Sequence, residues 1–380
     1  MKKIGFSGTL DPITNGHMWV IGEARAMAQQ VLVFLSENTL KKPQFSAEER
    51  KRIIELSTRE RGWDNVEVHI VRGEYTARAA KQAGVDYLIR GIRNTADFDY
   101  ENLIQQTNVD VLHGAKSIFV MPPRDLGSVS SSFVRALQGP VGWHWHMRKF
   151  VPWPAYEAWV LNWLYQEWQQ LWQAEPNPPA AEVMDQCFHQ LTGVQHYAAK
   201  SRCYHNLDHL VHGLTEIRVW SNYHACDEAS LRQLKKAFWM HDVVYHQASA
   251  DNSDEEQSAQ WWLQSGLCQE GDAQAVADLI RCTDHFQQAN VNHALKPVML
   301  GADLAILGQE PDVYDMYADA IRAEFQHVPL DIYVPRRCHA LKHFCQRAEQ
   351  HSLYLEAYFD AQYNEMALSN MQREIARWEC

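Results

Sequence analysis

Two clusters of residues in this 380-residue chain have the types and spacing to do chemistry. The first is the run Phe6-Ser7-Gly8-Thr9-Leu10-Asp11-Pro12-Ile13-Thr14-Asn15-Gly16-His17. Residues 3 to 6 are short and apolar enough for a buried strand, Gly8 and Pro12 break it, and an amphipathic helix is expected from about His17 to Gln30. The start of that helix offers unpaired backbone N–H groups and a positive dipole end, which suits the triphosphate of ATP, and His17 would stand in its first turn. Adenylyl transfer is an in-line attack of an acceptor phosphate on the α-phosphorus, with loss of pyrophosphate. It calls for positioning and charge neutralisation rather than a protein nucleophile. On that chemistry His17 donates to the α-phosphate or leaving oxygens, Thr9 binds phosphate through its hydroxyl and backbone N–H, and Lys41 and Arg90 supply fixed positive charge. Ser130, Ser131 and Ser132 are expected to begin a further helix, where their hydroxyls either cap it or hold the β- and γ-phosphates. Asp97 and Glu101 are expected to serve structure or nucleotide contacts.

The second cluster comprises Tyr204-His205-Asn206-Leu207-Asp208-His209, the pair His241-Asp242, and Asp303 within Gly301-Ala302-Asp303-Leu304. Divalent metals take neutral imidazoles and ionised carboxylates converging from several elements, and helices present such groups with little loss of precision. His205 and His209 are four apart and share a face if that stretch is helical. His241-Asp242 follows the apolar run Ala237-Phe238-Trp239-Met240 and so is expected to end a buried helix.

The elements that position the first cluster extend over about Lys3 to Pro152, and this stretch resembles bacterial phosphopantetheine adenylyltransferase, of the nucleotidyltransferase superfamily with the (H/T)xGH motif. The resemblance rests on Thr14-Asn15-Gly16-His17, Lys41-Lys42-Pro43 with Phe45-Ser46-Ala47-Glu48-Glu49-Arg50, Leu88-Ile89-Arg90-Gly91-Ile92-Arg93, Ala96-Asp97-Phe98-Asp99-Tyr100-Glu101, and Val129-Ser130-Ser131-Ser132-Phe133-Val134-Arg135. It implies a Rossmann-like α/β fold with a parallel sheet and flanking helices, ATP as a substrate, Mg²⁺, and a homo-oligomer. His17, Lys41 and Arg90 would be catalytic, and Thr9, His17, Arg90, Glu101 and Ser130 to Ser132 would bind the nucleotide. The acceptor side departs from the pattern at Glu74-Tyr75, Val109 and Leu126. The resemblance implies phosphopantetheine as the leading acceptor, and these departures leave nicotinamide mononucleotide as the alternative.

The second cluster resembles the HD superfamily of metal-dependent phosphohydrolases, over about residues 180 to 378. Further cues are His241-Asp242-Val243-Val244-Tyr245 and Asp251-Asn252-Ser253-Asp254-Glu255-Glu256-Gln257-Ser258-Ala259, with Tyr354 to Ile375 as a terminal helix. The resemblance implies an all-α domain in which His209, His241, Asp242 and Asp303 ligate Mn, Fe, Mg, Co or Zn. Asp242 would also count as catalytic, and His205 is a weaker fifth ligand. Glu255, Glu256 and His285 are candidates for acid, base or phosphate-orienting roles. His246, His212 and His293 read as surface or packing residues. A regulatory module that senses a nucleotide without hydrolysing it is the other reading of this half.

Length and composition agree with two domains, expected at 1–152 and 153–380. The junction is marked by Gly139-Pro140-Val141-Gly142 and Val151-Pro152-Trp153-Pro154. A helix follows with Trp159, Trp163, Trp168 and Trp172 near one face, read as packing, and Pro176, Pro178 and Pro179 end it. Helices are expected over Glu228 to Met240, Asp254 to Gln264 and Asp272 to Cys282. All 8 cysteines lie after residue 186 without a CxxC, so reduced thiols in a cytoplasmic protein are expected. No long uncharged apolar run suggests a membrane span. The formal net charge of -12 argues against a broad nucleic-acid face and for small phosphorylated metabolites as partners.

Overall fold

The computed structural model describes residues 1–37, 42–111, 113–246, 253–268, 271–285 and 292–379, which divide into two compact units, Met1–Trp159 and Val160–Cys380. The first unit alternates strands and helices: β1 (Lys3–Gly8), α1 (Asn15–Met27), β2 (Gln30–Ser36), α2 (Ala47–Glu60), β3 (Val66–Val71), α3 (Thr76–Gln82), β4 (Tyr87–Gly91), α4 (Thr95–Gln106), β5 (Lys116–Val120), α5 (Ser131–Ala136) and α6 (Trp143–Arg148). The strands form a parallel sheet in the order β3-β2-β1-β4-β5. The unbroken apolar run Val31-Leu32-Val33-Phe34-Leu35 in β2 is what a strand covered on both faces requires, and all five residues are buried. In this order the chain winds one way from β1 to β3 and the other way from β4 to β5. The carboxyl ends of β1 and β4 therefore flank the crevice where α/β sheets take ligands.

Helix α1 ends at Met27, short of the expected Gln30, because Gln30 already pairs with Lys3 as the first residue of β2. Helix α2 starts with a capping box between Ser46 and Glu49. Behind it, the buried Arg50 guanidinium donates to the Phe45 carbonyl at 3.2 Å and to the Thr9 carbonyl, tying this helix to the loop after β1.

The second unit is helical. Its elements are α7 (Trp153–Gln173), in which the division between units falls, then α8 (Ala181–Leu191), α9 (Leu207–Tyr223), α10 (Glu228–Met240), α11 (Asp254–Gln264), α12 (Ala273–Arg281), α13 (Lys296–Leu304), α14 (Pro311–Glu324), α15 (Leu330–Gln350) and α16 (Ala357–Glu379). The tryptophan stripe of α7 is buried throughout. Trp159 belongs to the first unit, with its ring 5.6 Å from Phe45 and its indole N–H on Gln138. Trp168 packs edge-on against Trp172 and Trp239 at 5.4 and 5.0 Å in the core of the second. Lys236, fully buried on α10, is held by Glu175 at 2.6 Å and Asp272 at 2.5 Å. No helix among the described residues is long and apolar enough to cross a membrane.

Helices α9 and α10 pack closely because Gly213 leaves room for the Phe238 ring. A methyl group on Gly213 would fall 1.8 Å from that ring, which itself lies against His209 and His241 at 5.4 and 4.7 Å. Gly213→Ala is therefore expected to cost about 1–3 kcal/mol through overpacking. Thermal unfolding checks this as a fall of about 2–4 °C per kcal/mol.

Candidate functional sites

In the first unit a pocket of about 570 Å³ opens at the carboxyl ends of β1 and β4. It is lined by Ser7, Gly8 and Thr9 after β1, Gly16 and His17 at the start of α1, Arg90 and Arg93 at and after β4, and Ser130 to Ser132 at the start of α5. Glu101 also lines it, while Lys41 lies outside the described residues.

His17 owes its orientation to the cap of α1. Thr14 is the N-cap; its hydroxyl accepts the His17 backbone N–H at 3.3 Å, and His17 Nδ1 accepts the Thr14 backbone N–H at 3.1 Å. This is a capping box with imidazole in the place glutamate usually takes. With its lone pair on Nδ1 engaged, the neutral ring carries its proton on Nε2. Burial, and then the Arg93 and Arg90 charges, lower the His17 pKa from 6.5 to about 4, so the ring is neutral at pH 7 and a single-proton donor.

The pocket cations are partly neutralised from within. Arg90 is gripped by Glu101 through two bonds of 2.7 Å and also donates to the Ser7 hydroxyl at 3.0 Å. Arg93 binds Asp97 at 2.7 and 3.1 Å, and its hydrogen bonds hold that carboxyl below the usual range. Glu101 and Asp97 thus serve to aim the arginines. The serines have separate tasks. Ser130 caps α5 by accepting the Phe133 N–H at 3.1 Å, Ser131 donates to the Pro12 carbonyl at 2.7 Å, and Ser132 accepts from Arg135 at 3.0 Å. Sequence reasoning assigned no role to Arg50, Arg93 or Arg135, all of which line the pocket. For Arg93 the signal was its place in Arg90-Gly91-Ile92-Arg93. On the acceptor side, Leu126 lines the pocket and Tyr75 is exposed.

In the second unit His209 stands in the first turn of α9, His241 and Asp242 follow α10, and Asp303 lies near the end of α13. His209 Nε2 and His241 Nε2 are 3.1 Å apart. Asp242 Oδ2 is 3.4 and 3.1 Å from these two nitrogens, and Asp303 Oδ1 is 3.4 Å from each. His205 is not on the helical face with His209, because Asn206 caps α9 and leaves His205 in the loop before it. Its Nδ1 is 2.8 Å from Glu324, a buried residue that sequence reasoning missed. His285 Nε2 lies 2.9 Å from Asp303 Oδ2. Glu256 is paired with Arg281 at 2.6 Å, whereas burial, then Asp284 and Asp242, push the Glu255 carboxyl up. His212 pairs with Glu216 at 3.2 Å, His246 with Asp254 at 3.0 Å, and His293 accepts the Leu295 N–H.

These groups suit a divalent cation. Ligand atoms 3.1–3.4 Å apart are spaced as neighbours around one ion with bonds of about 2.1 Å. Asp242 Oδ2 is buried and accepts no hydrogen bond. His241 Nδ1 donates to the Phe238 carbonyl at 2.9 Å, so that Nε2 would be the atom it offers to a bound ion. Burial opposes ionisation of Asp303, but hydrogen bonds from His209, His241 and His285 outweigh it and hold the carboxyl well below the ordinary value. Arg202 fastens the segment after α10 by donating to the Asp242 and Val243 carbonyls at 2.6 and 3.0 Å.

The His17 geometry has a pH signature. An unfolded chain protonates this ring near 6.5 and the folded chain near 4, so stability is unaffected above about pH 6.5 and falls as pH drops from there towards 4. Imidazole resonances in ¹H–¹⁵N spectra are expected to show His17 as the neutral Nε2–H form down to pH 5, with a midpoint near 4.

Residues 6–137 match the cytidylyltransferase-like family. The phosphopantetheine adenylyltransferase of Chromobacterium violaceum is 33% identical over 156 residues, which are 41% of this chain and 94% of that relative. That of Lacticaseibacillus paracasei is 35% identical over 158 residues, 41% of this chain and 92% of the relative. That of Histophilus somni strain 2336 is 37% identical over 135 residues, 36% and 84% of the two chains. Through the segment that carries the nucleotide-sized pocket, the chain belongs to the phosphopantetheine adenylyltransferase family.

Proposed function

We propose that the chain is a bifunctional enzyme: its first unit transfers the adenylyl group of ATP to a phosphomonoester, with 4′-phosphopantetheine as the acceptor, and its second is an HD-type metal-dependent phosphohydrolase. The observation that carries the first reading is His17, which lines the pocket and whose Nδ1 is engaged by Thr14, so that Nε2 carries the proton. An acceptor phosphate oxygen attacks the α-phosphorus in line, the bond to the β-phosphate oxygen breaks, and pyrophosphate leaves. His17 Nε2–H donates to the α-phosphoryl oxygen as its charge grows, without surrendering its proton. Arg90 and Arg93, aimed by Glu101 and Asp97, offset charge on the phosphates, and backbone N–H groups after β1 and at the start of α1 complete the cradle. Mg²⁺ bound with the ATP would supply further positive charge to offset that of the phosphates. The acceptor is supported by the names of the relatives and by the length over which they match.

For the second unit, the observation is the convergence of His209, His241, Asp242 and Asp303 from three separate places in the chain. A bound divalent ion would lower the pKa of a water and polarise a phosphoryl oxygen. The Phe238 carbonyl on His241 Nδ1 would leave Nε2 for such an ion, the surrounding imidazoles hold both carboxylates ionised, and Tyr204 and Phe238 cover the cluster.

Incubation of the full-length protein with ATP, Mg²⁺ and 4′-phosphopantetheine, followed by mass-resolved chromatography, is expected to give dephospho-CoA and pyrophosphate. His17→Ala should reduce kcat by about 10²–10³ with ATP binding kept, as for loss of one transition-state donor. An unmodified acceptor in a preparation that binds ATP would overturn the choice of acceptor and make nicotinamide mononucleotide the next test. Asp242→Ala is expected to lose bound Mn²⁺ and hydrolysis of p-nitrophenyl phosphate. Equal turnover in wild type and variant would remove the hydrolase reading and favour a sensing module.

A further inference from the structure

Asp11 lies in the loop between β1 and α1 and is only 4% exposed. One of its carboxylate oxygens accepts the Gln44 backbone N–H at 2.8 Å, and the other accepts that of Phe45 at 3.2 Å. A buried carboxylate is tolerated when its oxygens are satisfied in this way. The next N–H, that of Ser46, is taken by Glu49 at 2.8 Å, and the Phe45 carbonyl accepts from Arg50 at 3.2 Å. Every backbone N–H from Gln44 to Ser46 is therefore engaged, and the segment before α2 is fastened to the loop that carries Thr9.

Lys42 stands two residues before this anchor and, with Pro43, lines the pocket. It is exposed, and among the described residues its ammonium has no ion-pair or hydrogen-bond partner. The other cations that line the pocket are engaged. Arg90 and Arg93 face Glu101 and Asp97, Arg50 donates to the Phe45 carbonyl, and Arg135 donates to the Asp11 carbonyl. A lysine ammonium is a point charge on a flexible four-carbon stem, so the place it can reach is set by the backbone beneath it. Fixing that backbone in advance lowers the cost of ordering the side chain when an anion arrives.

We propose that Lys42 supplies its ammonium to a substrate phosphate in this pocket, and that Asp11 is the positioning residue that sets it there by pinning the backbone two and three residues downstream. The proposal rests on the adenylyltransferase reading. The phosphate belongs either to ATP or to the acceptor, since the reaction brings both into one pocket. Asp11 touches neither substrate and acts through the segment it holds.

Calorimetric titration of the full-length protein with ATP and Mg²⁺, together with rates of dephospho-CoA formation over a range of 4′-phosphopantetheine, tests this. Lys42→Ala should weaken one of the two substrates about tenfold, the size expected for a charge-assisted hydrogen bond, and Lys42→Arg should recover part of the loss. A higher Kd for ATP assigns the contact to ATP, and a higher KM for the acceptor alone assigns it to the acceptor. Asp11→Asn keeps the volume and one accepting oxygen but turns an amide towards the other N–H, and it should weaken the same substrate. Adding Lys42→Ala to Asp11→Asn should cost less than about twofold more, because residues that act as a unit do not add. Asp11→Glu, which displaces the carboxylate, is held to the same expectation if Asp11→Asn does not fold. Lys42→Ala with wild-type ATP affinity, KM and kcat would overturn the proposal. Losses that multiply in the double variant, as for an aspartate that only stabilises the loop, would overturn it as well. Wild-type protein that binds ATP without forming dephospho-CoA would instead bring down the choice of acceptor, and ATP affinity would then decide the proposal by itself.

Discussion

Thr14 and His17 exchange two hydrogen bonds across the first turn of α1, and the use of the first unit's pocket depends on that exchange. One of the bonds satisfies a helix N–H that would otherwise be orphaned. The other fixes the imidazole tautomer, so a stabilising device and a chemical one are the same pair of residues. The remaining elements bring partners to that ring. The order of the sheet sets β1 beside β4, and α4 returns Glu101 and Asp97 to Arg90 at the end of β4 and Arg93 just after it. Ser131 and Arg135 of α5 reach back to the carbonyls of Pro12 and Asp11, which closes the loop between β1 and α1.

The second unit solves a harder electrostatic problem, since it gathers two imidazoles and two carboxylates where little water reaches. Removing one member of a buried charged set costs about 3–5 kcal/mol because the others are left uncompensated. The structure spreads that burden over several elements. Tyr204 and Phe238 cover His209, His285 supports Asp303, and Arg202 spends its guanidinium on backbone carbonyls rather than on the carboxylates. That choice leaves the carboxylate oxygens to the cluster.

Local features of both halves were legible in the sequence. The strand, turn and capped helix around Thr14 are written in consecutive residues, as are the helices Glu228–Met240 and Asp254–Gln264, whose caps Asp227 and Ser253 stand just before them. The same rule applied to Asn206 would have placed the start of α9 after His205, and a four-residue spacing was read as a shared face instead. The end of α1 was missed because the pull of β1 on Gln30 is a tertiary contact. Glu324 could not be read at all: its partners Tyr204, His205 and Tyr245 lie in segments that only folding brings to it. The pairing of Arg90 with Glu101 was hidden for a milder form of the same reason, since it spans a strand end, a loop and a helix.

The cysteines, noted earlier only for their late positions, acquire a use from their burial. Every cysteine of the chain lies in the second unit, and burial raises the thiol pKa of each one described, Cys268 and Cys345 to about 11. Because the thiolate is the reactive form, the described thiols are expected to alkylate slowly while the helices stay closed. Opening of the helical unit would expose the buried Cys187, Cys282, Cys338 and Cys345, and the α/β unit would contribute nothing to the signal. The chain thus carries a built-in chemical clock for the opening of one half alone.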